Sequence, residues 1–109
     1  MPQSPANKLT NEILLYLYKK GAFAWRQNVS GIPISGGRMR PASKKGVPDI
    51  IGCFQAHFFG VEVKIGKDIL RPEQIGFIRS VAIVGGTVFV AKNFKDFTKE
   101  FELWIFAHQ

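Results

Sequence analysis

The stretch Phe58-Phe59-Gly60-Val61-Glu62-Val63-Lys64 puts an acid and a base two residues apart in a run of strand formers. Side chains alternate across a strand, so Phe59, Val61 and Val63 take one face and Glu62 and Lys64 the other. At roughly 3.3 Å of rise per residue, their Cα atoms lie about 6.6 Å apart. Asp49 opens the preceding run of β-formers, just after Pro48. With Gln55-Ala56 as a tight connection, the two runs form a hairpin that brings Asp49 level with Glu62 and Lys64. Like charges repel when folded together unless something positive lies between them, and a divalent cation is the economical answer. Mg²⁺ and Mn²⁺ favour hard oxygen ligands, often one or two carboxylates completed by water and phosphate oxygens. Such an ion acidifies a bound water and offsets charge growing on a phosphate, while a lysine neutralises the transition state. Phosphodiester hydrolysis is the chemistry these residue types suit. The plainer alternative is a Glu62–Lys64 ion pair on a wet sheet face, with Asp49 closing a turn.

The surrounding elements must hold these residues in place. Residues 1–6 read as a flexible start, followed by a helix over 8–20 with Asn7 or Thr10 as its cap. Leu9, Ile13, Leu14, Tyr16 and Leu17 form its apolar face, and Gly21 ends it. Residues 22–26 read as a strand, and 38–40 as a short strand with Arg38 and Arg40 on one face. Two loops, 29–37 and 43–48, flank that strand. The hairpin strands cover 49–54 and 57–64. A helix from Pro72 to about Val84 and a strand over 87–91 follow. The last helix, 94–107, carries Phe94, Phe97, Phe101, Trp104 and Ile105 at helical spacing, a pattern of core or dimer seam. The order predicts an α/β sandwich with a mixed sheet flanked by helices.

The 109 residues fit one domain, 46% hydrophobic and 21% charged, in the globular range. A net charge of +7 draws the chain toward polyanions, nucleic acid foremost. Arg26, Arg38, Arg40, Ser43, Lys44 and Lys45 precede the acid–base strand and Lys67 and Arg71 follow it, a set suited to phosphate contacts. Nothing resembles a base-reading helix, so recognition of DNA shape is expected. A single cysteine excludes an internal disulfide and fits a reducing, cytoplasmic setting. Cys53 lies in an apolar run and reads as a buried structural thiol. No stretch reaches the roughly 20 apolar residues of a membrane span, and no signal peptide opens the chain. His57 and His108 have no partner at metal-ligand spacing.

Gly46-Val47-Pro48-Asp49-Ile50-Ile51-Gly52 followed by Val61-Glu62-Val63-Lys64 resembles the motif of PD-(D/E)xK nucleases, in the form of their VRR-NUC branch. Trp25-Arg26-Gln27-Asn28 resembles that branch's strand after the first helix, and Leu70-Arg71-Pro72-Glu73-Gln74 its entry into the second. The resemblance covers roughly residues 9–92. It implies a restriction-endonuclease-like fold and a Mg²⁺- or Mn²⁺-dependent DNA endonuclease, often acting on branched, flap or junction DNA. Stand-alone members resemble Holliday-junction resolvases, which act as homodimers. By this resemblance Asp49 and Glu62 are metal ligands with the Val63 carbonyl, Lys64 is the catalytic lysine, and Gln74 supports the site. The family places a glutamate near the start of the first helix where Lys8 stands here. Glu12, one turn later on that face, is either its replacement or a surface residue. A DNA-binding module of the same fold, and an interaction subunit of a larger complex, are the alternatives.

Overall fold

The computed structural model describes residues 3–27 and 44–108. Helix α1 spans Pro5–Lys20. It begins earlier than residue 8 because Ser4, not Asn7 or Thr10, is its cap: the Ser4 hydroxyl oxygen accepts from Asn7 N at 3.1 Å. Pro5 then fills the first turn, where its missing N–H costs nothing. Thr10 is instead buried on the packed side and donates its hydroxyl to Ala6 O at 2.8 Å. The helix stops at Gly21, whose φ of +89° suits glycine.

Strands β1 (Phe23–Arg26), β2 (Ile50–Phe54) and β3 (His57–Val63) form an antiparallel meander. Gln55 and Ala56, at φ 48° and 71°, make the two-residue turn between β2 and β3. Positive φ at both positions is the geometry that matches a hairpin's right-handed twist. Helix α2 (Pro72–Ile83) then crosses to β4 (Thr87–Ala91), which lies parallel to β3. Helix α3 (Phe94–Ala107) closes the described chain. The sheet order is β1-β2-β3-β4, a mixed sheet flanked by helices as expected. The strand expected over 38–40 lies outside the described residues.

One face of the sheet carries the core. Ile50, Phe54, Phe59, Val61, Val63, Phe89 and Ala91 pack against Leu9, Ile13 and Leu17 of α1 and Phe97, Phe101 and Trp104 of α3. The aromatic stripe of α3 is therefore core, with Phe101 edge-on to Phe54 and Phe59. Glu62, Lys64, Ile51, Cys53 and Phe58 belong by alternation to the opposite face, along with the N-terminal turn of α2. Cys53 is exposed there, not buried as its apolar neighbours suggested. Its strand has one covered face only at that end, and the thiol points away from it.

Candidate active site

The hairpin register builds the site. Its last pair is Ile50 with Val61, so one step further on Asp49 faces Glu62. The Val63 N–H donates to Asp49 Oδ2 at 2.7 Å, so a side chain stands in for a ladder acceptor. Asp49 O accepts from Gln27 N at 2.7 Å, which ties the same residue to the end of β1. Lys64, just past β3, is anchored by its own N–H donating to Ala91 O of β4 at 2.9 Å.

A roof covers this end of β3. Pro48 is fully buried and lies over Gly60, where a Cβ would come within 2.9 Å of its ring. Gly46, at φ +77°, abuts the main chain of α2, and a Cβ there would meet Glu73 O at 2.0 Å. The chain can thus pass between the sheet and α2 only because positions 46 and 60 lack side chains. Beneath it Glu62 is 3% exposed, Lys64 6% and Gln74 4%. Gln74 spans the gap between helix and strand: its Oε1 accepts from Arg71 N at 2.8 Å and its Nε2 donates to Glu62 Oε1 at 3.2 Å.

The other Glu62 oxygen, Oε2, is buried with no hydrogen-bond partner, alone in this among the side-chain atoms of the described residues. Burial and the neighbouring Asp49 carboxylate, with which the protonated Glu62 shares a hydrogen bond, raise the Glu62 carboxyl to about 8, against the opposing pull of Lys64 and Arg71. Glu62 and Lys64 share a face but close no ion pair; the described ion pairs are Lys20–Glu102 and Arg71–Glu73. The Glu62–Lys64 ion pair of the plainer reading is therefore not among those described. What remains is two facing carboxylates, one with an unsatisfied oxygen, under a lysine's field. That donor set fits a hard divalent cation, with Asp49, Glu62 and the Val63 carbonyl as the groups to hold it.

Asp49, Glu62, Lys64 and Gln74 therefore come together. Glu12 lies on an exposed part of α1, and among the described residues no third carboxylate joins Asp49 and Glu62 in a metal-holding group. The residue α1 does present near β1's site end is Asn7, whose Oδ1 accepts from Arg26 Nη2 at 2.6 Å. Lys44, Lys45, Lys67 and Arg71 are exposed, while Arg38, Arg40 and Ser43 fall outside the described residues. Sequence spacing missed the meeting of His57 and His108, whose ring centroids stand 4.6 Å apart. The hairpin tip and the end of α3 supply them, and only the tertiary packing of α3 brings them near.

No protein-family model and no curated protein matches the chain. Among solved structures, the chain resembles Hjc, a Holliday junction resolvase from the archaeal hyperthermophile Archaeoglobus fulgidus, with a TM-score of 0.50 and 21% identity over 80% of this chain and 67% of that one. The two proteins share a fold, a mixed sheet between helices.

Proposed function

We propose that this chain is a metal-dependent DNA endonuclease of PD-(D/E)xK type and VRR-NUC character, working as one cytoplasmic nuclease domain on branched DNA. The observation that carries the reading is the facing pair of Asp49 and Glu62, with Glu62 Oε2 buried and unpartnered. A bound Mg²⁺ or Mn²⁺ supplies an acidified water and positive charge beside the scissile phosphate. Asp49 and Glu62 hold it through their carboxylates and Val63 through its carbonyl. Gln74 fixes Glu62 so that one oxygen remains free for that purpose. Lys64, on the Glu62 face, stabilises the charge that develops on the phosphate oxygens. Arg26, Lys44, Lys45, Lys67 and Arg71 supply phosphate contacts around it. The fold shared with a Holliday junction resolvase supports junction DNA as substrate; flap DNA, and a homodimer whose two sites in fixed relation would make paired cuts, complete the proposal.

Labelled duplex, flap and four-way-junction DNA, with and without Mg²⁺ or Mn²⁺, test this. Cutting is expected only with metal. Lys64→Ala is expected to slow it by roughly 10²–10³-fold while leaving DNA affinity within about twofold. Glu62→Gln is expected to remove the heat of Mn²⁺ binding as well as cutting. No cutting by the intact chain and no Mn²⁺ binding would overturn the reading. Salt-sensitive DNA binding without cutting would select the second reading, a DNA-holding module of the same fold, for which the lack of a third carboxylate at the site among the described residues is the supporting observation.

A further inference from the structure

The sheet face that carries Asp49 and Glu62 continues away from them; Pro48 covers it at Gly60 and Ile51 is buried, while aromatic side chains along its β1 edge and far end stay open. The pairing register lays it out as rungs across three strands. Gln27, Asp49 and Glu62 lie at the level of the candidate site. Trp25, Ile51 and Gly60 form the next rung on the same face, and Phe23, Cys53 and Phe58 the one beyond. Phe23 is 73% exposed, Trp25 43% and Phe58 40%. Three aromatic side chains are thus partly open to solvent on one sheet face, Phe58 also lying beside Gly86, in a chain whose other aromatics mostly fill a core.

These rings are held, not loose. The Trp25 and Phe23 centroids stand 5.4 Å apart at a tilt of 48°. The Trp25 indole N–H donates to Gln27 Oε1 at 2.8 Å, and Gln27 N is itself bonded to Asp49 O. The indole's one polar group is therefore satisfied within the protein, and its π-face is what remains for a partner. From the strand rise and spacing, the Cα of Trp25 lies about 8 Å from that of Asp49, a distance that neighbouring nucleotides of one strand bridge.

We propose that Phe23, Trp25 and Phe58 form a stacking platform for unpaired nucleobases of a single-stranded stretch of DNA leading into the site. This deepens the nuclease reading and rests on it for direction only. Three features select this occupant. The Trp25 end of the platform lies one rung from the carboxylates proposed for phosphodiester chemistry. The chain carries a charge of +7, with exposed Lys44 and Lys45 on the loop that roofs β3, which suits a polyanion. The three rings expose roughly 400 Å², well short of the ~800 Å² each partner gives to a stable protein interface. Aromatic side chains over a basic track are the general means by which proteins bind single strands without reading sequence.

The test uses the full chain in Ca²⁺ or EDTA, so that binding is read apart from cutting. Oligo-dT and a flap whose arm carries unpaired bases are compared with blunt duplex of equal length. Oligo-dT is expected to quench the fluorescence of Trp25, since Trp104 is buried. Trp25→Ala and Phe23→Ala are each expected to weaken oligo-dT and flap binding roughly tenfold and blunt-duplex binding less than twofold. Trp25→Phe is expected to restore most of the loss, and circular dichroism melting checks that each variant folds. Equal losses on duplex and flap overturn the proposal. So does a wild-type dimer in sedimentation that Trp25→Ala converts to monomer, which would assign the face to a second copy. Selective loss in a chain that never cuts would leave the platform standing and sink only the nuclease reading. Cutting that survives with no selective loss would do the reverse.

Discussion

Burial and the Asp49 carboxylate lift the Glu62 carboxyl to about 8 from an ordinary value near 4.5. A raised folded-state value means that the folded chain holds this proton more tightly than the unfolded chain. The stability it confers is complete below pH 4.5 and is lost as the pH climbs toward 8. The metal-free protein is therefore expected to lose on the order of a few kcal/mol of unfolding free energy between pH 5 and pH 8, read by urea titration. Glu62→Gln, which keeps the shape of the protonated acid, is expected to flatten that slope. An unchanged slope in the variant would show that the proton sits elsewhere. Mg²⁺ competes with the same proton, so its stabilising effect is expected to be larger at pH 8 than at pH 6. At this scale the sequence was informative where chemistry followed alternation: Glu62 and Lys64 share a face because they are two apart. The bridge from Gln74 to Glu62 was legible only through family resemblance, because it depends on how α2 sits over β3. Cys53 was misread because an apolar run does not reveal which of its two faces a helix covers.

Elements meet at the site through glycines, and the cost of filling each differs. Gly21 and Gly46 both have positive φ, but a Cβ at Gly21 meets nothing within 4 Å whereas one at Gly46 collides with the Glu73 carbonyl. Gly21→Ala is expected to cost about 1–2 kcal/mol, the price of the left-handed backbone alone. Gly46→Ala adds the displacement of the 44–48 loop from α2 and is expected to cost at least twice as much, with Pro48 and Asp49 shifted. Urea denaturation of the two variants side by side reads the difference; equal losses would mean that the loop yields without strain. Element identities followed from periodicity, and β4 and α3 match their expected bounds. The start of α1 did not, because Ser4 supplied a cap before the apolar repeat begins, and capping is set by one hydrogen bond rather than by a pattern.

Across the molecule, the core and the candidate site are divided between faces of the sheet. Aromatic packing of α1 and α3 lies on one side of the sheet, and the candidate site, the exposed rings and the lysines of the 44–48 loop lie on or beside the other. Among the described residues no helix is long and apolar enough to cross a membrane. If about four of the cations meet phosphates, DNA affinity is expected to fall roughly 10²-fold between 50 and 200 mM salt, measured by fluorescence anisotropy. Truncating the exposed rings is expected to leave that salt slope unchanged, because stacking releases no counterions, whereas Lys44→Ala with Lys45→Ala is expected to reduce it. Net charge pointed to a polyanion without saying which face would meet it. The aromatic rings on the open face were hidden, since Phe23 and Phe58 look like core residues until the layout of the helices is known.

Asp49 Oδ2 closes the sheet where a main-chain carbonyl would otherwise be needed. On the proposed reading, natural selection acts on that atom twice, once for foldability and once for chemistry. A descendant of this chain that gave up cutting would still need an acceptor there, so drift at position 49 would be confined to aspartate and asparagine. Lys64 is anchored to β4 through its main chain, so its buried side chain could lose the charge while keeping its bulk. The pattern of decay among lineages, with position 49 held and position 64 turned apolar, would mark those that kept the scaffold and abandoned the reaction.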